Sequence, residues 1–182
     1  GDGNDENRHI QPGKTRSLGG IEAHYRAIEV AGDGSFSIGA MATLSSLERS
    51  PEIARAAPVI NQTLRTLSNV RVRNVATLGG HLAHADPHMD LPPVLIALGA
   101  TLTISGPSGE RRLNVADLFA GYLETTLAPG ELITQVIVPA QGPRRAAYLK
   151  CTTRSADDWP ALGLAVSLET SGQEITAARI AI

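Results

Sequence analysis

Proline and glycine limit how long any regular segment of this chain can run. There are 18 glycines and 11 prolines among 182 residues, and no stretch keeps one hydrophobic period for long. Ser50 can cap a helix with Pro51 in its first turn, and Pro58 then forces that helix to end before a second begins. The second helix carries Ile60, Leu64 and Leu67 on one face, which is expected to be buried. Thr43 is placed to cap a short helix through Leu47. A further helix follows Asp90, with Asp90 as cap, Pro92-Pro93 in the first turn and Gly99 as the stop.

Between these helices the period is two. Ile28 and Val30 lead to a Gly32-Asp33-Gly34 turn followed by Phe36 and Ile38. Leu102 and Ile104 turn through Gly106-Pro107-Ser108-Gly109 toward Arg111 to Leu113. Val115 to Phe119 reads as one helical turn, and Leu132 to Val138 as a buried strand stopped by Pro139. Beyond it, Tyr148-Leu149-Lys150, the alternation Leu162, Leu164, Val166, Leu168, and Ile175 to Ile182 form an antiparallel meander. The mixture predicts an α+β fold. Residues 1–17, with Ile10 as their one large apolar residue, read as a disordered lead-in, and order is expected from about Ile21. Residues 18–140 read as one subdomain and 145–182 as the start of a second. A chain that opens on Gly1 and stops at Ile182 in mid-pattern reads as a fragment.

Composition excludes several functions. A net charge of -2 gives no electrostatic basis for a nucleic-acid partner. No apolar run is long enough for membrane insertion and no signal peptide is present, so the expected location is cytoplasmic. Cys151 stands alone, so the chain holds no disulfide framework and no iron-sulfur cluster of its own.

Periodicity vanishes from Asn69 to Asp90, and a long loop that is too apolar for disorder is usually functional. In it, Thr77-Leu78-Gly79-Gly80 offers residues able to adopt positive φ and to bring backbone amides close to a phosphate. The same stretch holds His81, His84, Asp86, His88 and Asp90. That grouping supports a rival reading as a metal-dependent hydrolase built on His81, His84, Asp86 and His88. Its spacing matches no standard ligand motif, and Pro87 prevents one helix from aligning the side chains. A third reading is a remnant that folds without binding any cofactor.

Arg73 to Pro87 reads RNVATLGGHLAHADP and is followed by Asp90-Leu91-Pro92-Pro93. This resembles the second flavin-binding segment of the molybdopterin dehydrogenase family, whose usual wording is RNxATxGGNxANADPxxDLP. Ile38 to Thr43, Pro129 to Ile133, and Tyr148-Leu149-Lys150 with Arg154 and Asp157-Asp158 extend the resemblance. It implies a type-2, PCMH-like FAD-binding α/β subdomain followed by the start of an antiparallel C-terminal subdomain. It also implies FAD as cofactor and an oxidoreductase role in electron relay. The implied partners are a molybdopterin-containing large subunit and a 2Fe-2S small subunit, and no residue of this chain would perform the molybdenum chemistry. The residues that the resemblance assigns to FAD are Thr77, Leu78, Gly79 and Gly80 at the pyrophosphate, His81 as a further hydrogen-bonding contact, Asp90 at a sugar or ribityl hydroxyl, Ile133 near the flavin, and Lys150 beside the isoalloxazine. The chain departs from the family at His81, where Asn is usual, and an earlier Gly-Gly-Ser-type segment has no counterpart before Ile21.

Overall fold

The computed structural model describes residues 18–153 and 159–182. The lead-in assigned to residues 1–17, and Arg154, Asp157 and Asp158 of the resemblance, lie outside the described residues. Helix α1 (Leu18–Arg26) precedes a hairpin of β1 (Ile28–Val30) and β2 (Phe36–Gly39). Four helices follow: α2 (Leu44–Arg49), α3 (Pro51–Ala56), α4 (Pro58–Thr66) and α5 (Val70–Val75). Helices α6 (Leu78–His84) and α7 (Leu91–Leu98) lead to β3 (Thr101–Gly106), β4 (Gly109–Asn114) and a 3-10 turn at Val115–Leu118. A small hairpin of β5 (Phe119–Gly121) and β6 (Glu124–Thr125) precedes β7 (Leu132–Val138). The meander is β8 (Arg145–Cys151), β9 (Leu162–Ser171) and β10 (Glu174–Ala181).

One sheet has the order β1-β2-β7-β3-β4 and another the order β10-β9-β8, with every neighbouring pair antiparallel. Alternation decides which side chains enter the core, so Phe36 and Ile38 of β2 and Leu102 and Ile104 of β3 are buried. On β7 only Val136 and Val138 are fully buried and Leu132 is 70% exposed, so the strand expected to be buried is buried at one end only. Helix α7 is apolar all round, as a helix enclosed by protein must be. It packs on β8, β9 and β10, and also on α4 and the 3-10 turn.

The helix boundaries follow from capping. The Thr43 hydroxyl accepts from Ser46 N, and Ser50 Oγ accepts from Ile53 N with Pro51 in the first turn. Gly99 ends α7 at φ 75°. Two expectations are corrected. Ordered structure includes a helix from Leu18, and the segment from Asn69 to Asp90 contains α5 and α6. These two helices have six and seven residues, less than two full turns, so they leave no hydrophobic period to read. Their signals are the caps: Asn69 Oδ1 accepts from Arg71 N and Val72 N, and Thr77 Oγ1 from Gly80 N.

Candidate functional site

Thr77-Leu78-Gly79-Gly80 is a helix start and not an open loop, and neither glycine has positive φ. All four leading amides of α6 are bonded within the protein. Leu78 N donates to Ala42 O at 2.9 Å, Gly79 N to Ala40 O at 2.8 Å, Gly80 N to Thr77 Oγ1 at 3.2 Å and His81 N to Thr77 O at 2.8 Å. The expected cradle of free amides therefore does not form, because the turn at residues 40–42 takes two of those donors and Thr77 takes the other two. Leu78 is fully buried in the core. Gly79 lies against Ala40, and Gly80 is exposed and lines a cavity. The Thr77 hydroxyl accepts from Gly80, which leaves its hydrogen free to donate.

The cavity has a volume of about 300 Å³ and is mostly apolar. Leu44, Leu67, Val72, Met89 and Trp159 supply its apolar lining, and Gly80, His81, His84, His88, Asp90 and Lys150 also line it. Asp90 occupies the cap position of α7 but makes no capping bond, which corrects its expected role. Its carboxylate is held from strand β8 instead. Tyr148 OH donates to Oδ1 at 2.7 Å and Lys150 Nζ to Oδ2 at 3.2 Å. Burial pushes the Asp90 carboxyl upward, against the lowering effect of the Tyr148 hydroxyl and the Lys150 ammonium. Burial and the bond to Asp90 push the Tyr148 phenol well above its ordinary value. Lys150 Nζ also donates to Thr66 O at 2.9 Å. Two of its three hydrogens are engaged and one remains.

Lys150 and Arg73 together grip one turn. Arg73 Nη1 donates to Leu67 O at 2.9 Å and Ser68 O at 2.6 Å, and its Nε pairs with Glu48 Oε2 at 2.9 Å. Three consecutive carbonyls, of Thr66, Leu67 and Ser68, are thus bound by two buried cations, and Leu67 and Ser68 line the cavity.

Burial, with a smaller contribution from His84, lowers the His81 pKa to about 4, so the ring is neutral at ordinary pH. Its Nε2 is buried and has no hydrogen-bond partner among the described residues. His88 Nδ1 lies 3.0 Å from Asp86 Oδ1, and its ring meets Trp159 edge-on at 5.7 Å. His84 Nε2 is 3.9 Å from Asp86. Among the described residues no three His, Cys, Asp or Glu side chains converge as metal ligands, so the hydrolase cluster is not assembled. His84 and His88 flank Asp86 in the open, and His81 turns inward.

Of the residues assigned from sequence, Gly80, His81, Asp90 and Lys150 meet at one cavity, with Thr77 capping the helix beneath them. Ile133 does not join them. It is half-buried on β7 opposite Ile104. The sequence reading missed Trp159, the 66–68 turn and the role of Tyr148. Tyr148 and Lys150 stand two apart on a strand and so share a face, which was the available signal for Tyr148.

The sequence model of the family described as "FAD binding domain in molybdopterin dehydrogenase" matches residues 6–141. The glyceraldehyde dehydrogenase medium chain of Sulfolobus acidocaldarius is 34% identical over 145 residues, which is 80% of this chain and 51% of the relative. The nicotine 6-hydroxylase medium subunit of Paenarthrobacter nicotinovorans is 34% identical over 175 residues, which is 96% of this chain and 60% of the relative. The solved carbon monoxide dehydrogenase from Hydrogenophaga pseudoflava superposes with a TM-score of 0.81 at 32% identity, over 86% of this chain and 54% of that one. The chain thus spans half to three-fifths of the length of these relatives. No helix among the described residues is long and apolar enough to cross a membrane. A family match over three-quarters of the sequence, on a fold shared with a solved relative, places the chain in the family of FAD binding domains of the molybdopterin dehydrogenases.

Proposed function

We propose that this chain forms part of the electron-relay subunit of a molybdenum hydroxylase. In this reading electrons leave a molybdopterin-containing large subunit, cross a 2Fe-2S small subunit, and reach FAD held here before passing to an acceptor. The observation that carries the proposal is the meeting of Gly80, His81, Asp90 and Lys150 at one cavity. The names of the relatives, medium chain and medium subunit, support membership in a multi-subunit complex. An exposed free thiol at Cys151 fits a reducing cytoplasm.

The residues suit the flavin cofactor. FAD, when bound, supplies the electron-storing chemistry. Gly80 leaves room for close approach, the Thr77 hydroxyl can donate to an anionic oxygen, and Asp90 keeps lone pairs for a hydroxyl donor. Lys150 is fixed by Thr66 O and Asp90, so its charge sits at a defined place where it favours negative charge on a neighbouring ring. Leu67, Val72 and Trp159 give that charge apolar surroundings. Flavin-fluorescence titration of this chain and of the longest translated form of its gene tests the reading. Saturable quenching by either form supports it, and its absence from both refutes it.

A further inference from the structure

One side chain of the cavity carries a consequence that rests on the flavin reading. His81 lines the cavity and its Nε2 is buried without a partner among the described residues, an arrangement that is costly unless a ligand supplies one. The neighbouring backbone cannot supply it to a ligand's advantage, since the leading amides of α6 are already bonded. Charge gives a second, independent constraint. Among the described residues, the carboxylate and ammonium that line the cavity are Asp90 and Lys150, and they bond to each other. A diphosphate entering this space brings negative charge that this mutually neutralised pair does not offset.

We propose that His81 takes up a proton when FAD enters the cavity, so that its Nε2–H donates to a ligand oxygen and the imidazolium offsets ligand charge. The proton comes from solvent, and no covalent bond is made or broken in the ligand. Before binding, the ring is neutral, with a pKa of about 4 set by burial and by His84. A bound anion reverses that penalty. The titratable neighbours are His84 on the same helix, His88 beside Asp86, Asp90 at the start of α7, and Tyr148 and Lys150 on β8. Arg73 on α5 is engaged with Glu48.

The sign follows from linkage. A ligand that prefers the protonated ring binds more tightly as pH falls, by up to about tenfold per pH unit, between the free and bound pKa values of His81. Asp90 titrates in acid as well, so the difference between wild type and His81→Asn isolates the imidazole. Calorimetric FAD titrations at mildly acidic pH, in buffers of different ionisation enthalpy, count the protons taken up. The wild type should take up protons, His84→Asn should still do so, and His81→Asn should not. If His81→Asn binds too weakly to titrate, the ring nitrogen resonances of His81 in the wild-type complex decide. Imidazolium shifts support the proposal, and neutral shifts overturn it. FAD binding without proton uptake, or uptake that survives His81→Asn, also overturns it. Failure of every form to bind FAD refutes instead the flavin reading beneath it.

Discussion

A Cβ on Gly79 would lie 2.7 Å from Ala40 Cβ and 3.1 Å from Ala40 O, at the point where α6 is stitched to the segment before α2. A Cβ on Gly80 would meet only Thr77 Oγ1, at 3.0 Å, and would otherwise stand in the cavity. The two glycines look like a single feature in the sequence, yet one packs against Ala40 and the other lines the cavity. Gly79→Ala should destabilise the fold by about 1 to 3 kcal/mol in denaturant unfolding, despite alanine's better helix propensity, because backbone is what must move. Gly80→Val should stay within about 1 kcal/mol of wild type in the same assay. Its branches should nonetheless abolish FAD affinity by filling the cavity. The mechanism is steric, since Gly80 has no positive φ to strain. Unchanged FAD binding by Gly80→Val would remove this glycine from the site.

At the scale of elements, the Asp90, Tyr148 and Lys150 contacts fasten the start of α7 to strand β8. The side chains of Lys150 and Asp90 are 8% and 6% exposed, so removing one charge leaves the other buried and uncompensated. Lys150→Met should therefore cost about 3 to 5 kcal/mol at neutral pH, and Lys150→Met with Asp90→Asn should recover much of it. Without the ammonium, the already raised Asp90 carboxyl rises further. The folded state of the variant then binds a proton before the unfolded state does, so its stability rises as pH falls from the folded pKa toward the ordinary carboxylate value. Urea midpoints across that range check it, and a deficit constant with pH would show that Asp90 does not carry the charge. Elements of this kind were legible in unequal measure. Helices with strong local punctuation, at Ser50-Pro51, Pro58 and Gly99, stand where the sequence puts them. Helices α5 and α6 were not legible, because a helix of one to two turns is fixed by its caps and its neighbours more than by period. The capping role of Asp90 was a sound local inference overridden by two donors from a strand about sixty residues away. Ile133 came from the resemblance alone, and no local pattern could have placed it relative to the cavity.

Across the whole molecule, one surface remains at odds with water. On the meander, Ala165 and Ser167 of β9 point inward and are buried, which turns Leu162, Leu164, Val166 and Leu168 to the opposite face. The registers place Leu149 beside Leu164, Cys151 beside Leu162, and Ile180 beside Val166 on that same face. Leu149, Leu162 and Ile180 are 61%, 50% and 64% exposed. An antiparallel sheet with one wet face ordinarily turns its polar residues to water, and this sheet turns a row of large apolar side chains outward instead, while Tyr148, Lys150 and Ser167 lie on its inner face. The alternation was visible in the sequence, but the face that it takes needed the register of all three strands. A contiguous apolar patch of this kind drives association. The chain should therefore self-associate as its concentration rises, as read by sedimentation velocity, and Leu149→Lys with Ile180→Lys should return it to monomer. Because Lys150 and Tyr148 face the other way, the same double variant should leave the FAD titration unchanged. A wild-type chain that stays monomeric at every concentration would show that strand twist and flanking charges such as Arg145 already protect the face.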